Sequence, residues 1–269
     1  MKNINIYKPC TTLENNEKVI EKYNDSNSHF IKILLTVPAD GVVTFSDNLI
    51  LKDYSYIYWG DGTRGRNYSH TYTEQSGLRG KDVNIIIADA TKIAGNFFYD
   101  GAVGVTEGVK ELYFGKGVII DLQGTSNTPE KLKRLLNISN TTQGMLSTSF
   151  PSVQFEEITL NPDCLILKSN CFADQNLNYL DCSNVLLFEI NCFLHADIKT
   201  IVLGKNFIEP EFWGSNKDFE NCFYEGSKED YNNNNYNVSS ENLYYYSEKE
   251  PFEEGKYWHW VKGKPVIWE

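Results

Sequence analysis

No stretch of the 269-residue chain approaches the ~18–20 consecutive apolar residues that a membrane-spanning helix needs. Basic residues are in short supply: 25 Lys and Arg stand against 36 Asp and Glu, a formal net charge of −11. Such a surface repels phosphate backbones, so no nucleic-acid partner is expected. The opening MKNINIYKPC lacks the apolar core and small-residue cleavage site of a secretory leader, so neither a signal peptide nor an anchor is expected in this chain. The six cysteines contain no Cys-x-x-Cys pair. A zinc site drawing on Cys192-x-x-His195 with Cys171 and Cys182 is conceivable but poorly spaced. A Cys192–His195 nucleophile pair has no third group to orient it. No metal and no cofactor is therefore expected, and no constellation supports an enzyme. Adjacent Glu156 and Glu157 on a strand face opposite sides and cannot act on one sugar.

What is present points to β structure. Hydrophobic residues make up 41% of the chain and aromatics 14%, enough for one large core or two modest ones. Residues 1–28 read as a polar arm. HFIKILLTV (29–37), GVVTFSDNLIL (41–51) and YSYIYWGDGTRG (54–65) read as strands broken by Pro38, Asp40-Gly41 and a Gly60-Asp61-Gly62 turn. In that turn Asp61 is expected to cap backbone N–H groups, Trp59 to pack inward and His70 to be a hydrogen-bonded neighbour. The best helix signal is TPEKLKRLL (128–136), with Thr128 as N-cap and Pro129 at the first helical position. YNNNNYN (231–237) reads as a solvated loop.

A pattern L-x-x-L-x-L recurs. It covers Val109–Phe114, Phe155–Leu160, Leu177–Cys182 and Ile198–Leu203, and Val83–Ala88 fits as a fifth copy. Gly-Lys follows two of the copies, at 115–116 and 204–205. A triplet Asn-Cys-Phe recurs at 170–172, 191–193 and 221–223, with GNFF at 95–98 as a degenerate relative. The first two triplets lie 21 residues apart; the longer next interval suggests an insertion at 209–218. A period in the ~20–29 range suits a leucine-rich repeat solenoid, in which one repeat cannot bury its own apolar face. Cys171, Cys192 and Cys222 then become equivalent interior fillers beside a Phe, with Cys182 in the last L position and Cys164 in a turn. Free, buried thiols are expected in preference to a disulfide ladder.

The repeat LKSNCFADQNLNYLDCSNV (167–185) resembles the BspA-like, or Treponema pallidum-type, leucine-rich repeat. The tail NLYYYSEKEPFEEGKYWHWVKGKPVIW (242–268) is similar to the segment that closes many such proteins. Trp59-Gly60-Asp61-Gly62 with His70-Thr71-Tyr72 resembles a PKD-type immunoglobulin-like domain. The resemblances imply a mainly β chain: a polar arm (1–28), a PKD-type β-sandwich (29–88), repeats over 83–241 with an insertion at 119–154, and an aromatic cap (242–269). They imply non-enzymatic surface display or adhesion on a bacterial cell, recognising a protein or glycan. The alternative is a phage virion component, such as a capsid decoration or tail-associated protein, which assembles without export. A glycan-active enzyme is the third reading. An extracellular-facing location and no membrane insertion follow from either of the first two.

Side chains alternate along a strand, so the residues between the L positions face outward. The candidate partner-binding face is Tyr113, Glu157, Thr159, Tyr179, Asp181, Thr200 and Val202, with Ile87 and Glu111 in the same rows. Trp258, Trp260 and Trp268 are a candidate aromatic platform, although alternating aromatics also suit a cap over the last repeat.

Overall fold

The computed structural model describes residues 29–45, 56–95, 105–122, 129, 131–146, 150, 153–210, 213 and 219–268. The expected arm, Cys10, the GNFF relative and the second half of the 41–51 strand lie outside them, wholly or in part. The chain is mainly β, with a β-solenoid-like arrangement.

The N-terminal part starts from strict alternation. In β1 (Phe30–Thr36) Ile31, Ile33 and Leu35 are fully buried while Lys32 and Leu34 are only partly covered. β1 pairs antiparallel with β6 (Asp82–Ala88), which carries β3 (Ile57–Tyr58) and then β4 (Arg64–Gly65) on its far side. β2 (Val42–Thr44) and β5 (Ser69–Thr71) form a separate antiparallel ribbon. Val43, Phe45, Trp59 and Tyr72 join Ile31, Ile33 and Leu35 in one core.

The other edge of β1 pairs antiparallel with β8 (Val109–Phe114). Val83–Ala88 is therefore not a repeat copy: β1 stands between it and the ladder, and Ile87 is buried rather than outward-facing. Spacing of apolar residues does not encode strand direction, and β6 takes its partner from residues far upstream.

From β8 onward the strands run parallel. β10 (Arg134–Ile138) lies between β8 and β11 (Glu157–Leu160), with Leu112, Leu135 and Ile158 in register at steps of 23 residues. A second run joins β13 (Asn176–Cys182), β15 (Asp197–Leu203), β16 (Phe219–Tyr224), β17 (Ser240–Tyr246) and β18 (Tyr257–Val261), closed by the antiparallel β19 (Lys264–Ile267). Here Leu180, Ile201, Cys222 and Leu243 share one row. Shorter strands build a second ladder. β7 (Lys92–Gly95) pairs parallel with β9 (Ile119–Leu122), and β12 (Ile166–Leu167) with β14 (Leu187–Phe188). Bridges Ile119–Asn140 and Leu187–Ile208 continue it. Leu112, Leu135, Ile158, Leu167, Phe188 and Ile201 fill the space between the ladders.

Five further expectations are corrected. The helix over 128–136 does not form among the described residues; Arg134–Leu136 is strand, hydrogen-bonded into a sheet on both sides. Leu132 and Leu135 fit a helix face and the L-x-x-L motif equally, and two flanking strands override weak local propensity. The ladder thus passes through the stretch 119–154 that was expected to interrupt it. The third Asn-Cys-Phe is not equivalent to the others: Cys222 lies mid-strand opposite Ile201. The true corner is a left-handed residue, Gly144, Asn170 or Asn191, with φ of 60°, 57° and 59°. The next residue is Met145, Cys171 or Cys192, and Trp213 takes this place one coil later. The ladder Leu146 N–H to Cys171 O, Phe172 N–H to Cys192 O and Phe193 N–H to Trp213 O fixes the equivalence. Trp213, inside the expected insertion at 209–218, is therefore a corner residue of the repeat. Finally, Tyr231–Asn233 belongs to a short helix, Lys228–Asn233, capped by Ser227 and anchored by buried Tyr231.

The Gly-Lys signature has a steric cause. A Cβ on Gly204 would sit 2.2 Å from Ser183 O, and one on Gly115 2.8 Å from Phe30 N. Gly204 lets adjacent turns approach closely, and Gly115 lets the end of β8 approach the start of the antiparallel β1.

Candidate recognition face

Two rows run along the outward side of the long ladder. One reads Tyr179, Thr200, Asn221, Asn242; the other reads Asp181, Val202, Phe223, Tyr244. Upstream the same side carries Tyr113, Glu111, Arg134, Glu157 and Thr159.

The upstream half is occupied by its own contacts. Glu111, 5% exposed, pairs with Lys32 at 3.4 Å and with Arg134 at 2.7 Å. Arg134 also reaches Glu157 at 2.6 Å, bridging carboxylates on the two strands beside it. Tyr113 stacks on Phe30 at 5.7 Å, with Lys32 over its ring at 5.1 Å. Thr159 Oγ1 accepts from Asn137 N–H at 2.9 Å.

The downstream half divides in two. Val202 is fully buried and so is Trp258; with Phe223 they form a second small core on the outer face, flanked by Tyr244, Tyr246 and Trp260. Neither Val202 nor Trp258 can meet a partner as expected. The reason is the hairpin β18–β19: pairing Tyr246 with Trp258 turns the indole back over the sheet, where its Nε1–H donates to Tyr224 O at 2.9 Å. The three tryptophans do not form one platform. Trp268 stacks on His259 at 3.8 Å, and alternation places it on the opposite side of the hairpin from Trp258 and Trp260.

Beside this outer core Tyr179 is 38% exposed, and Asp181, Thr200, Glu225 and Trp260 are half-buried. Trp260 Nε1–H donates to Glu225 at 2.8 Å, and Asp181 accepts the Ser183 N–H at 2.9 Å. Among the described residues no cation pairs with either carboxylate. Burial raises the Glu225 carboxyl, as does the nearby charge of Asp181, against the opposing Trp260 hydrogen bond. Burial and then the charge of Asp181 raise the Tyr179 hydroxyl above its ordinary value. Tyr179, Asp181 and Thr200 thus lie on neighbouring strands of one face, and Trp260, expected on a separate aromatic platform, reaches its margin through Glu225. Glu225 and Tyr244 were missed, although Phe219-x-x-Cys222-x-Tyr224 is itself a copy of the motif and points to the rows beside it.

Polar clusters elsewhere are bonded within the fold. Asp61 takes the Thr63 N–H at 2.9 Å and His70 Nε2 at 2.7 Å, and His70 stacks on Trp59 at 5.0 Å. The Tyr72 hydroxyl donates to Trp59 O. Burial alone would raise the Asp61 carboxyl, but the His70 and Thr63 hydrogen bonds outweigh it and hold it at about 2. Cys164, Cys171, Cys182, Cys192 and Cys222 are free and buried. Burial pushes every one of these thiols up, Cys164 to about 12, so none forms a ready thiolate. Among the described residues no group of three or more His, Cys, Asp or Glu is placed to hold a metal ion, and no helix is long and apolar enough to cross a membrane.

Fold and face together define a β-solenoid-like protein with a mixed aromatic and acidic sheet surface. No family model, curated protein or solved structure matches the chain.

Proposed function

We propose that the chain is a non-enzymatic recognition protein that engages a protein or glycan through the outward face of its downstream repeats. One observation carries this reading: Tyr179, Asp181, Thr200, Glu225 and Trp260 present aromatic and hydrogen-bonding groups on a rigid ladder, with no ion-pair partner among the described residues. A site built on paired strands holds its geometry better than one on loops, and aromatic rings beside polar groups suit recognition surfaces. The finer fold reading belongs to the same proposal: BspA-like leucine-rich repeats after a PKD-type immunoglobulin-like module. The strand-and-corner coil and the Trp59–Asp61–His70–Tyr72 arrangement support it.

Display on a bacterial cell surface is the preferred setting. A virion structural role is the second reading. It is favoured by five core thiols that pack as filler, an arrangement that requires no oxidising compartment. Mass spectrometry of purified virions, cell envelope and cytosol separates the two settings. The recognition reading itself is tested by applying the purified chain to arrays of surface proteins and glycans. Tyr179→Ala with Thr200→Ala is expected to abolish the strongest signal; undiminished signal would sink the assignment of the face. Turnover of any arrayed glycan would replace the non-enzymatic reading with an enzymatic one.

A further inference from the structure

The upstream half of the ladder contains a worked example of how this sheet satisfies two carboxylates. Glu111 and Glu157 lie on β8 and β11, and the strand between them supplies Arg134, which pairs with both at 2.7 and 2.6 Å. Asp181 and Glu225 also stand one strand apart, though not in one row: the row of Asp181 continues through Val202 and Phe223, and Glu225 lies two residues beyond Phe223. Asp181 lies on β13 and Glu225 follows β16, again with one strand between. That strand, β15, supplies Thr200 and Val202 on this side, neither of them charged. Several other acids have cations at hand: Asp82 has Lys110 at 2.8 Å, Glu189 has Lys168 at 2.6 Å, and Asp230 has Lys205 at 3.0 Å, whereas half-buried Glu209 is held by N–H donors of Trp213 and Asn237 instead.

We propose that a basic side chain of a partner protein, an arginine, docks between Asp181 and Glu225 and takes the part that Arg134 plays upstream. This rests on the recognition reading above and names its partner chemistry. The surroundings select arginine. A guanidinium is planar, offers five N–H donors in a fixed fork, and stacks on aromatic faces. Tyr179 and Trp260 flank the two carboxylates, and the Trp260 N–H already fixes Glu225. A neutral sugar is disfavoured: covering two mutually repelling carboxylates without a counter-charge leaves their desolvation uncompensated. The net charge of −11 favours encounter with a basic surface.

The test uses the full chain and two probe peptides, hexa-arginine and hexa-citrulline, titrated at near-physiological salt. Asp181→Asn with Glu225→Gln removes two charges while retaining an oxygen for Ser183 N–H and one for Trp260 Nε1–H. Glu253→Gln with Glu254→Gln removes the same charge from exposed positions elsewhere. The expected result is hexa-arginine binding that the first pair of substitutions weakens at least tenfold and the second less than twofold, with hexa-citrulline bound at least tenfold more weakly. Equal weakening by both pairs means diffuse attraction to an acidic surface and overturns the inference, as does absence of hexa-arginine binding. A neutral glycan whose binding is lost with Trp260→Ala but unchanged by Asp181→Asn with Glu225→Gln also overturns it, while leaving the recognition reading standing. Array signal indifferent to Tyr179→Ala with Thr200→Ala would bring down both.

Discussion

The two halves of one sheet face treat the same problem differently. Across β8, β10 and β11 the outward carboxylates are neutralised from within, by Lys32 and Arg134, and Tyr113 is closed off by Phe30. Across β13 to β18 the surface is instead covered by a folded-back hairpin that buries Val202, Phe223 and Trp258, and at its margin two acids are left without a counter-ion among the described residues. The difference teaches that register alone does not make a solenoid face a binding surface. Outward carboxylates become part of the structure where an internal cation reaches them, and keep an uncompensated charge among the described residues where none does.

The comparison breaks most readily at Trp258. Trp258→Ala removes the largest fully buried side chain among the described residues and its bond to Tyr224 O. A loss of about 3–5 kcal/mol is expected in denaturant unfolding, with Val202 and Phe223 uncovered and an apolar dye bound. A loss below about 1 kcal/mol would mean that the outer core is ornamental. Arg134→Met is the next test. It leaves Glu111 buried with only Lys32, and should cost about 1–3 kcal/mol by the same measurement. Adding Glu111→Gln should recover much of that loss; no recovery would remove the ion-pair explanation of the upstream half.

Acid titration sharpens the contrast through its sign and involves the smallest energies. Asp61 is held at about 2, below the ordinary value of ~3.9, so its contribution is complete above pH ~4 and is lost as pH falls through about 2. Asp61→Asn should lower stability at neutral pH by about 1 kcal/mol and flatten the acid limb. Glu225 has the opposite sign. Its carboxyl is raised by burial and by Asp181, so protonation relieves the folded state as pH falls through that raised value. Glu225→Gln should therefore leave stability at neutral pH unchanged or a few tenths of a kcal/mol higher. A clear loss would show that the carboxylate has an unseen stabilising partner.

Much of the repeat was legible because burial follows local periodicity. Leu112, Ile158, Leu180 and Ile201 could be read from L-x-x-L-x-L, and all four are buried. The Asp61 turn was legible because Gly-Asp-Gly and a nearby His are local chemistry; Gly60 and Gly62 do take positive φ, 83° and 89°. The copy at Leu132–Leu135 was hidden by a proline and a helix-like first turn. The copy at Phe219–Tyr224 was hidden because its Asn-Cys-Phe matched a corner triplet by coincidence. The candidate face was legible only at Tyr179, Asp181 and Thr200. Glu225 owes its place there to Trp260, 35 residues later, and Val202 and Trp258 were lost to the interior by the same hairpin.

Sequence alone determined which side chains are apolar enough to be buried, where the tight turns fall, and that units with a period in the ~20–29 range repeat, because each is written in the local pattern of apolar and turn residues. Tertiary structure decided the direction of β1 against the ladder, the corner role of Trp213, and which acids keep a cation. Those outcomes depend on which distant strands and hairpins meet, and the free energy of such a meeting belongs to the pair of surfaces rather than to either segment.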